Sequence, residues 1–431
     1  MDAEHRRELL AEVRQANNCS HPIRISGEMV NRVTGEVARR GLTVACKDRR
    51  RAVCPTCSYL YKADAFILAS AGLIGGKGVD ESVVGHPRLF VTLTAPSFGP
   101  VHRITQSGQC HRRKTSCPHG IGLNCSSHHA PDDSQLGSPL CFACFDYEAA
   151  VEWNAHANRL WNHLITRIRR EVATLCGLSR VGHERHFMVS YFKVAEFQRR
   201  GLVHFHIVLR VDGPNGPNEP APTRLTPSEL AAVIRNSVAH EQMVSSRGEH
   251  LKWGQQLHIG GDVGEVESAR VAGYLAKYAV KTTDGSIELA RRFRRRDQIE
   301  QLDDRHQRNL ALTAWDLGYQ RHAHSYGYAG NLITKSRHYS TTFSKIRGER
   351  AAYMRPQNTL ETIPGTFLYD GRGYLHPRAK ELAELFFSMD VELRREAAER
   401  KRTSYMRSSE LTDSGSAATP DPENPQQTKG L

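Results

Sequence analysis

The stretch Glu196–Val211, EFQRRGLVHFHIVLRV, decides how this chain is read. In an extended strand, side chains alternate between faces. Val203, Phe205, Ile207, Leu209 and Val211 then form one apolar face, and His204 and His206 stand together on the other. Two imidazoles on one strand face make half of a metal site. Gly201 signals a turn before the strand, so Glu196 can return a carboxylate to the same ion. A mixed nitrogen and oxygen donor set suits Mg2+ or Mn2+ as well as Zn2+. The plain alternative is a strand edge with polar side chains facing water.

A second constellation lies downstream, where Gly273–Lys281 reads GYLAKYAVK. Helical spacing puts Tyr274, Lys277, Tyr278 and Lys281 on one face, with Val271, Leu275 and Ala279 as the apolar stripe. Lysines beside a phenol favour the phenolate and attract phosphate. A tyrosine can act as a covalent nucleophile. Attack on a phosphodiester needs its nonbridging oxygens neutralised and its leaving oxygen stabilised, which a divalent ion does. Each constellation supplies what the other lacks. The competing reading of the tyrosines is interfacial packing with hydroxyls reaching water.

Composition sets the outer limits. A chain of 431 residues is long enough for two or three domains and a sizeable core. Lys and Arg number 59 against 46 Asp and Glu, a net charge of +13, with a pI near 9.4. Such an excess points to a polyanion, nucleic acid first. Residues 1–16 are charged and amphipathic, unlike a secretory leader. The longest apolar stretch, Ala63–Ile74, is shorter than the roughly 20 residues needed to span a bilayer. A cytoplasmic location and no membrane partner are expected.

Eight of the ten cysteines lie between Cys46 and Cys144, and in such a chain metal ligation is expected before disulfides. Cys54-Pro55-Thr56-Cys57 and Cys141-Phe142-Ala143-Cys144 are turns of the kind that grip Zn2+. They can share one tetrahedral site, although far apart in sequence. With Cys46, Cys110, Cys117 and Cys125, and with His111 and His119 nearby, a second site can be completed. One or two structural zinc ions are expected, with no catalytic role.

Along the chain, residues 1–45 read as a short charged helix and a mixed loop region. Pro87–Pro96 reads as one buried strand, and residues 146–176 as a long amphipathic helix. Strands are expected over Phe187–Ala195 and Leu202–Val211. Thr226 caps a helix with Pro227 at its first position and Glu229 at its third. A short strand over Leu257–Gly261 and helices over Ser268–Lys281 and 377–402 complete the pattern. Arg291, Arg292, Arg294, Arg295 and Arg296 form a basic cluster. With the His322–Tyr339 run, it can track phosphates and stack unpaired bases. The tail from Thr403 reads as disordered. Strands interrupted by helices, without regular βαβ alternation, favour an α+β fold.

In their order along the chain, these motifs resemble the rolling-circle replication initiators of actinobacterial plasmids and integrative elements, a branch of the HUH endonucleases. The resemblance covers roughly residues 46–350. It rests on Phe90-Val91-Thr92-Leu93-Thr94-Ala95-Pro96, on His204-Phe205-His206 after Glu196, and on the helix with Tyr274, Lys277 and Tyr278. It implies an RRM-like antiparallel sheet flanked by helices. The expected organisation is an N-terminal zinc-binding region (1–85), a nuclease domain (86–285) with a cysteine-rich insertion at about 105–145, a basic helical region (286–402) and the tail (403–431).

The resemblance also implies nicking of one strand at a replication origin. Tyr278 is the expected nucleophile, leaving a 5′-phosphotyrosine and a free 3′-hydroxyl for a host polymerase. His204, His206 and Glu196 would hold Mg2+ or Mn2+, and Lys277 would orient phosphate. Tyr274 stands where some relatives carry a water-activating glutamate and others a second tyrosine, so both roles stay open for it. No Gly-rich phosphate loop with a following Lys-Ser/Thr occurs, so a host helicase is the expected partner for unwinding. The alternatives are a relaxase or single-strand transposase, and a non-catalytic, zinc-stabilised DNA-binding regulator. Relaxases usually carry a third histidine where Glu196 stands, and a regulator gives no reason for the two-tyrosine helix face.

Overall fold

The computed structural model describes residues 3–31, 33–105, 108–111, 115–222, 225–262, 265–280, 292–354 and 360–413. In chain order its elements begin with α1 (Ala3–Gln15), β1 (Ile23–Asn31), β2 (Val37–Val44), α2 (Pro55–Ile74) and β3 (Arg88–Leu93). Then come α3 (Tyr147–Leu175), β4 (Met188–Phe197), β5 (Val203–Asp212) and α4 (Pro227–His240). They are followed by β6 (Gln242–Val244), β7 (His250–Lys252), β8 (Leu257–Asp262) and α5 (Glu265–Ala279). Last are α6 (Asp297–Glu300), α7 (Arg305–Asp316), β9 (Ile333–Lys335), α8 (Phe343–Met354), β10 (Leu360–Thr362), β11 (Leu368–Arg372) and α9 (Pro377–Asp413). The α+β expectation holds.

The chain divides into two compact units. The smaller draws on the segments up to Glu28, from Arg39 to Ala45, and from Pro364 onward. In it, Leu9 and Val13 of α1 pack with Ala379 and Ala383 of α9. Ile23–Ser26 of β1 pair antiparallel with Leu368–Arg372 of β11. The stretch read as mixed loop thus contains strands, and residues 403–413, read as tail, continue α9. Both were hidden for the same reason: short, mostly polar segments carry little hydrophobic periodicity.

The larger unit is built on a five-stranded sheet in the order β8-β3-β5-β4-β9. Every pairing in it is antiparallel. Alternation sends Leu89, Val91, Leu93, Ala195 and Phe197 to one face, together with the five apolar β5 residues singled out from the sequence. This face packs on α3, whose Val151, Trp161, Leu164, Ile168 and Val172 are buried at helical spacing, and on Leu230 and Ile234 of α4. Each such fully buried side chain stabilises the fold by roughly 1.5–3 kcal/mol. Local signals agree with the packing. Asp146 accepts from the Ala149 amide to start α3, and α4 opens with the Thr226/Glu229 capping box.

The opposite face carries Phe90, Phe192, Val194 and Val208, covered by α2 and α5. Here the helix from Cys54 onward, assigned from sequence to a separate zinc-binding region, covers the central sheet. Its C-terminal end is stapled there by buried arginines. Arg88 donates to the carbonyls of Leu73 and Val83 at 3.0 and 3.1 Å. Arg210 donates to the Gly72 carbonyl and pairs with Asp212. Burial alone would raise the Asp212 carboxyl, but hydrogen bonds from His86 and Arg210 reverse this and hold it below the ordinary range. Among the described residues, no helix is long and apolar enough to cross a membrane.

Candidate active site and cysteine-rich centres

The face beneath α5 collects the residues singled out from the sequence. In the β4–β5 ladder Glu196 lies directly opposite His204, and Val194 opposite His206. The tight turn between them is made by Gln198–Gly201, with Gly201 at φ +74°. His206 Nε2 meets Glu196 Oε2 at 3.0 Å, with side-chain exposures of only 4% and 11%. His206 Nδ1 lies 3.2 Å from the hydroxyl of Thr92, so the Thr-Leu-Thr strand fixes the second ring nitrogen. The His204 ring lies 4.6 Å from that of His206, centroid to centroid. Burial, reinforced by neighbouring His206, drives His204 down to about 3, so its imidazole stays neutral. Its Nε2 is buried with no hydrogen-bond partner.

Helix α5 brings the tyrosines to the same place. Its buried stripe is Ala272, Leu275, Ala276 and Ala279, with Val271 and Tyr278 partly buried at the margin. The sequence-based stripe keeps Leu275 and Ala279 and widens to Ala272 and Ala276, and Tyr278 leans into the sheet. Its ring stacks on His206 with centroids 4.9 Å apart. Tyr274 meets His206 edge-on at 5.0 Å and Phe90 at 5.7 Å. The two tyrosine rings are 4.6 Å apart. Burial, and then the hydrogen bond with Tyr278, push the Tyr274 phenol well above its ordinary range. Lys277 holds its Nζ 5.5 Å from the Tyr278 ring centroid. His258, not singled out from the sequence, lies in register with Thr92 on β8 and adds an exposed imidazole to this face.

Lys281 and Arg291 lie outside the described residues. The rest of the basic cluster is solvent-facing and partly neutralised. Arg295 pairs with Asp297 at 2.8 Å, and Arg296 pairs with Glu300 and Asp316. The run beyond it presents no exposed tyrosine. Tyr326, Tyr328 and Tyr339 are buried, the first two in the α3-side core and the third in the α2-side core. Composition alone could not separate an aromatic core from an aromatic surface.

The cysteines gather in groups that the sequence did not predict. Cys54 and Cys57 sit with Cys46, and Cys46 Sγ is 3.6 Å from Cys57 Sγ. Cys141 and Cys144 sit instead with Cys117 and His119. Cys110 and Cys125 join His102 and His129. Within each group the donor atoms all lie within 4.8 Å of one another. The two C-x-x-C turns thus do not share a site, and imidazoles replace thiolates in both groups of the insertion. His102 and His129 escaped notice because they lie far apart in sequence and outside any short motif. These groups can hold structural zinc.

Comparison with known proteins gives the class first: this is a replication initiator. The profile of the family described as "Replication initiator protein, pSAM2" (RepSA) matches residues 5–387, and the chain belongs to that family. It is 36% identical over 412 residues to a Streptomyces ambofaciens protein described as "Replication initiator protein", covering 88% of this chain and 86% of the relative. No solved structure matches the chain.

Proposed function

We propose that this replication initiator nicks one DNA strand at its origin through Tyr278 and rejoins it at termination. The observation that carries the reading is the stacking of Tyr278 on His206, itself bonded to Glu196. His204, His206 and Glu196 are the residues that would hold Mg2+ or Mn2+. Their fit is supported by the buried, unpartnered Nε2 of neutral His204 and by the carboxylate beside His206. When bound, the ion supplies charge neutralisation at the scissile phosphate.

Tyr278 supplies the attacking oxygen. Its Oη–P bond forms as the P–O3′ bond breaks, and the phenolic proton is balanced by the one taken up by the departing 3′-oxygen. The products are a 5′-phosphotyrosine and a 3′-hydroxyl that a host polymerase can extend, with a host helicase unwinding ahead. The exchange consumes no cofactor, so reversal can reseal the strand. Lys277 offers its ammonium to the phosphate and to the forming phenolate. Tyr274 is held protonated and donates to Tyr278, which favours Tyr278 as the first nucleophile and leaves Tyr274 for a later transfer. The net positive charge suits duplex and single-stranded DNA as partner.

The test is to incubate the protein with labelled single-stranded origin DNA and Mn2+ and look for a detergent-resistant adduct. Loss of the adduct in Tyr278→Phe with retention in Tyr274→Phe is expected. The reverse pattern moves the nucleophile to Tyr274, and no adduct under any condition removes the nicking role.

A further inference from the structure

The insertion between β3 and α3 has no helix and no extended strand among its described residues, only isolated bridges such as His111↔Cys125 and Ser116↔Gly122. A segment of this kind buries too little apolar surface to order itself, and metal ligation is a common remedy. Two four-donor groups lie within it, and their order along the chain is interleaved. His102 and Cys110 belong to one, Cys117 and His119 to the other, Cys125 and His129 to the first again, and Cys141 and Cys144 to the second.

The spacings suit tetrahedral zinc. Bonds of about 2.0–2.1 Å to nitrogen and 2.3 Å to sulfur place donor atoms roughly 3.3–3.8 Å apart. In the first group His102 Nδ1 is 3.2 Å from His129 Nε2, which is 3.5 Å from Cys125 Sγ. In the second, His119 Nδ1 is 3.2 Å from Cys144 Sγ and 3.9 Å from Cys117 and Cys141 Sγ. Outer contacts agree. The Arg103 amide donates to Cys110 Sγ at 3.3 Å. His129 turns its other nitrogen to Asp133 Oδ2 at 2.6 Å, the carboxylate–histidine pairing usual behind a zinc ligand.

The same loop holds the β4–β5 turn. Arg199, in that turn, donates to the carbonyls of Asp133 and Pro131, both at 2.7 Å. Gly137 lets the chains touch: a Cβ there would lie 2.4 Å from the Arg199 carbonyl carbon. Next door, Arg200 donates to the carbonyls of Pro96 and Ala95 at 2.7 and 2.9 Å, where the insertion leaves β3.

We infer that the insertion is a cross-braced, two-zinc module, with one ion on His102, Cys110, Cys125 and His129 and the other on Cys117, His119, Cys141 and Cys144, which clamps the β4–β5 turn through Arg199. The interleaving cross-links the loop, because the segment between the ligands of one ion carries ligands of the other, while each ion keeps its own four donors. Arg199 is a positioning residue: it holds the turn that sets Glu196 opposite His204. The link to nicking rests on the function proposed above, whereas the metal sites and the clamp do not.

Zinc content of purified full-length variants tests the pairing. Cys110→Ser with His129→Ala, two changes at one ion, should lose the same single equivalent as either change alone. Cys110→Ser with Cys144→Ser should lose two. Additive loss in the first pair, or a single loss in the second, overturns the assignment. Arg199→Ala tests the clamp. It should keep the full zinc content while amide exchange in the Gln198–Leu202 turn speeds up by about tenfold. Unchanged exchange there overturns the clamp, whatever happens to DNA nicking.

Discussion

Glu196 and His204 face each other across the β4–β5 ladder, and the hairpin turn joining them is gripped by the cysteine-rich insertion through Arg199. The donors of the proposed divalent site thus sit on rigid, hydrogen-bonded strands, as preorganisation of a reactive centre requires. Tyr278, the proposed nucleophile, comes from a helix packed on those strands.

Removing the buried imidazole should separate chemistry from binding. His204→Ala is expected to lower adduct formation by at least about a hundredfold and to leave duplex origin affinity within about twofold, as gel-shift titration would measure. Loss of binding in a folded variant would count against a metal-ligand role.

Tyr274→Phe removes a hydroxyl whose hydrogen bond serves Tyr278. The first adduct should still form, while release and rejoining of a strand carrying two nick sites should slow by about tenfold or more. Rejoining at the wild-type rate would assign Tyr274 a packing role alone.

A buried lysine gives a pH signature. Lys193 Nζ lies 2.7 Å from Asn158 Oδ1 and 3.9 Å from the Phe205 ring centroid, and burial pulls it down to about 7. An unfolded lysine titrates near 10.4. Between about 7 and 10.4 the unfolded chain therefore binds more protons than the folded one, and stability rises with pH. Below 7 both states are protonated and the full burial penalty is felt. Lys193→Met should accordingly exceed the wild type in Tm most at about pH 6, with the gap narrowing by about pH 9. A gap independent of pH contradicts the assignment.

Packing of α2 on the sheet makes a sharper stability prediction. A Cβ on Gly72 would stand 2.2 Å from the ring of Tyr339, which is fully buried and donates its hydroxyl to the Ala69 carbonyl at 3.0 Å. Gly72→Ala should cost about 1–3 kcal/mol in chemical denaturation. Gly273→Ala in α5 faces open space and should gain up to about 1 kcal/mol from helix propensity. Equal effects at the two positions would contradict the packing described.

Much of the central sheet was legible because its signals are local. Alternation along β5, the apolar spacing of α3 and the Thr226 capping box each follow from short-range physics, and each has its counterpart in the structure. The convergence of His206, Tyr274 and Tyr278 was legible only as two faces in need of each other. Cysteine pairing was not legible: thiolate partners are chosen by the path of a loop without periodicity, and His102 and His129, outside the C-x-x-C turns, complete one group as His119 completes the other. The burial of Tyr326, Tyr328 and Tyr339 was missed because burial depends on what packs above a residue.

The proposed reaction leaves Tyr278 covalently linked to the 5′ end of the nicked strand. Trapping the wild-type protein on origin DNA, digesting both components and mapping the nucleotide-bearing peptide by mass spectrometry tests it directly. The phosphotyrosine is predicted on Tyr278. A modification on Tyr274 in the first-turnover adduct, or a nicked strand with no protein attached, would contradict it.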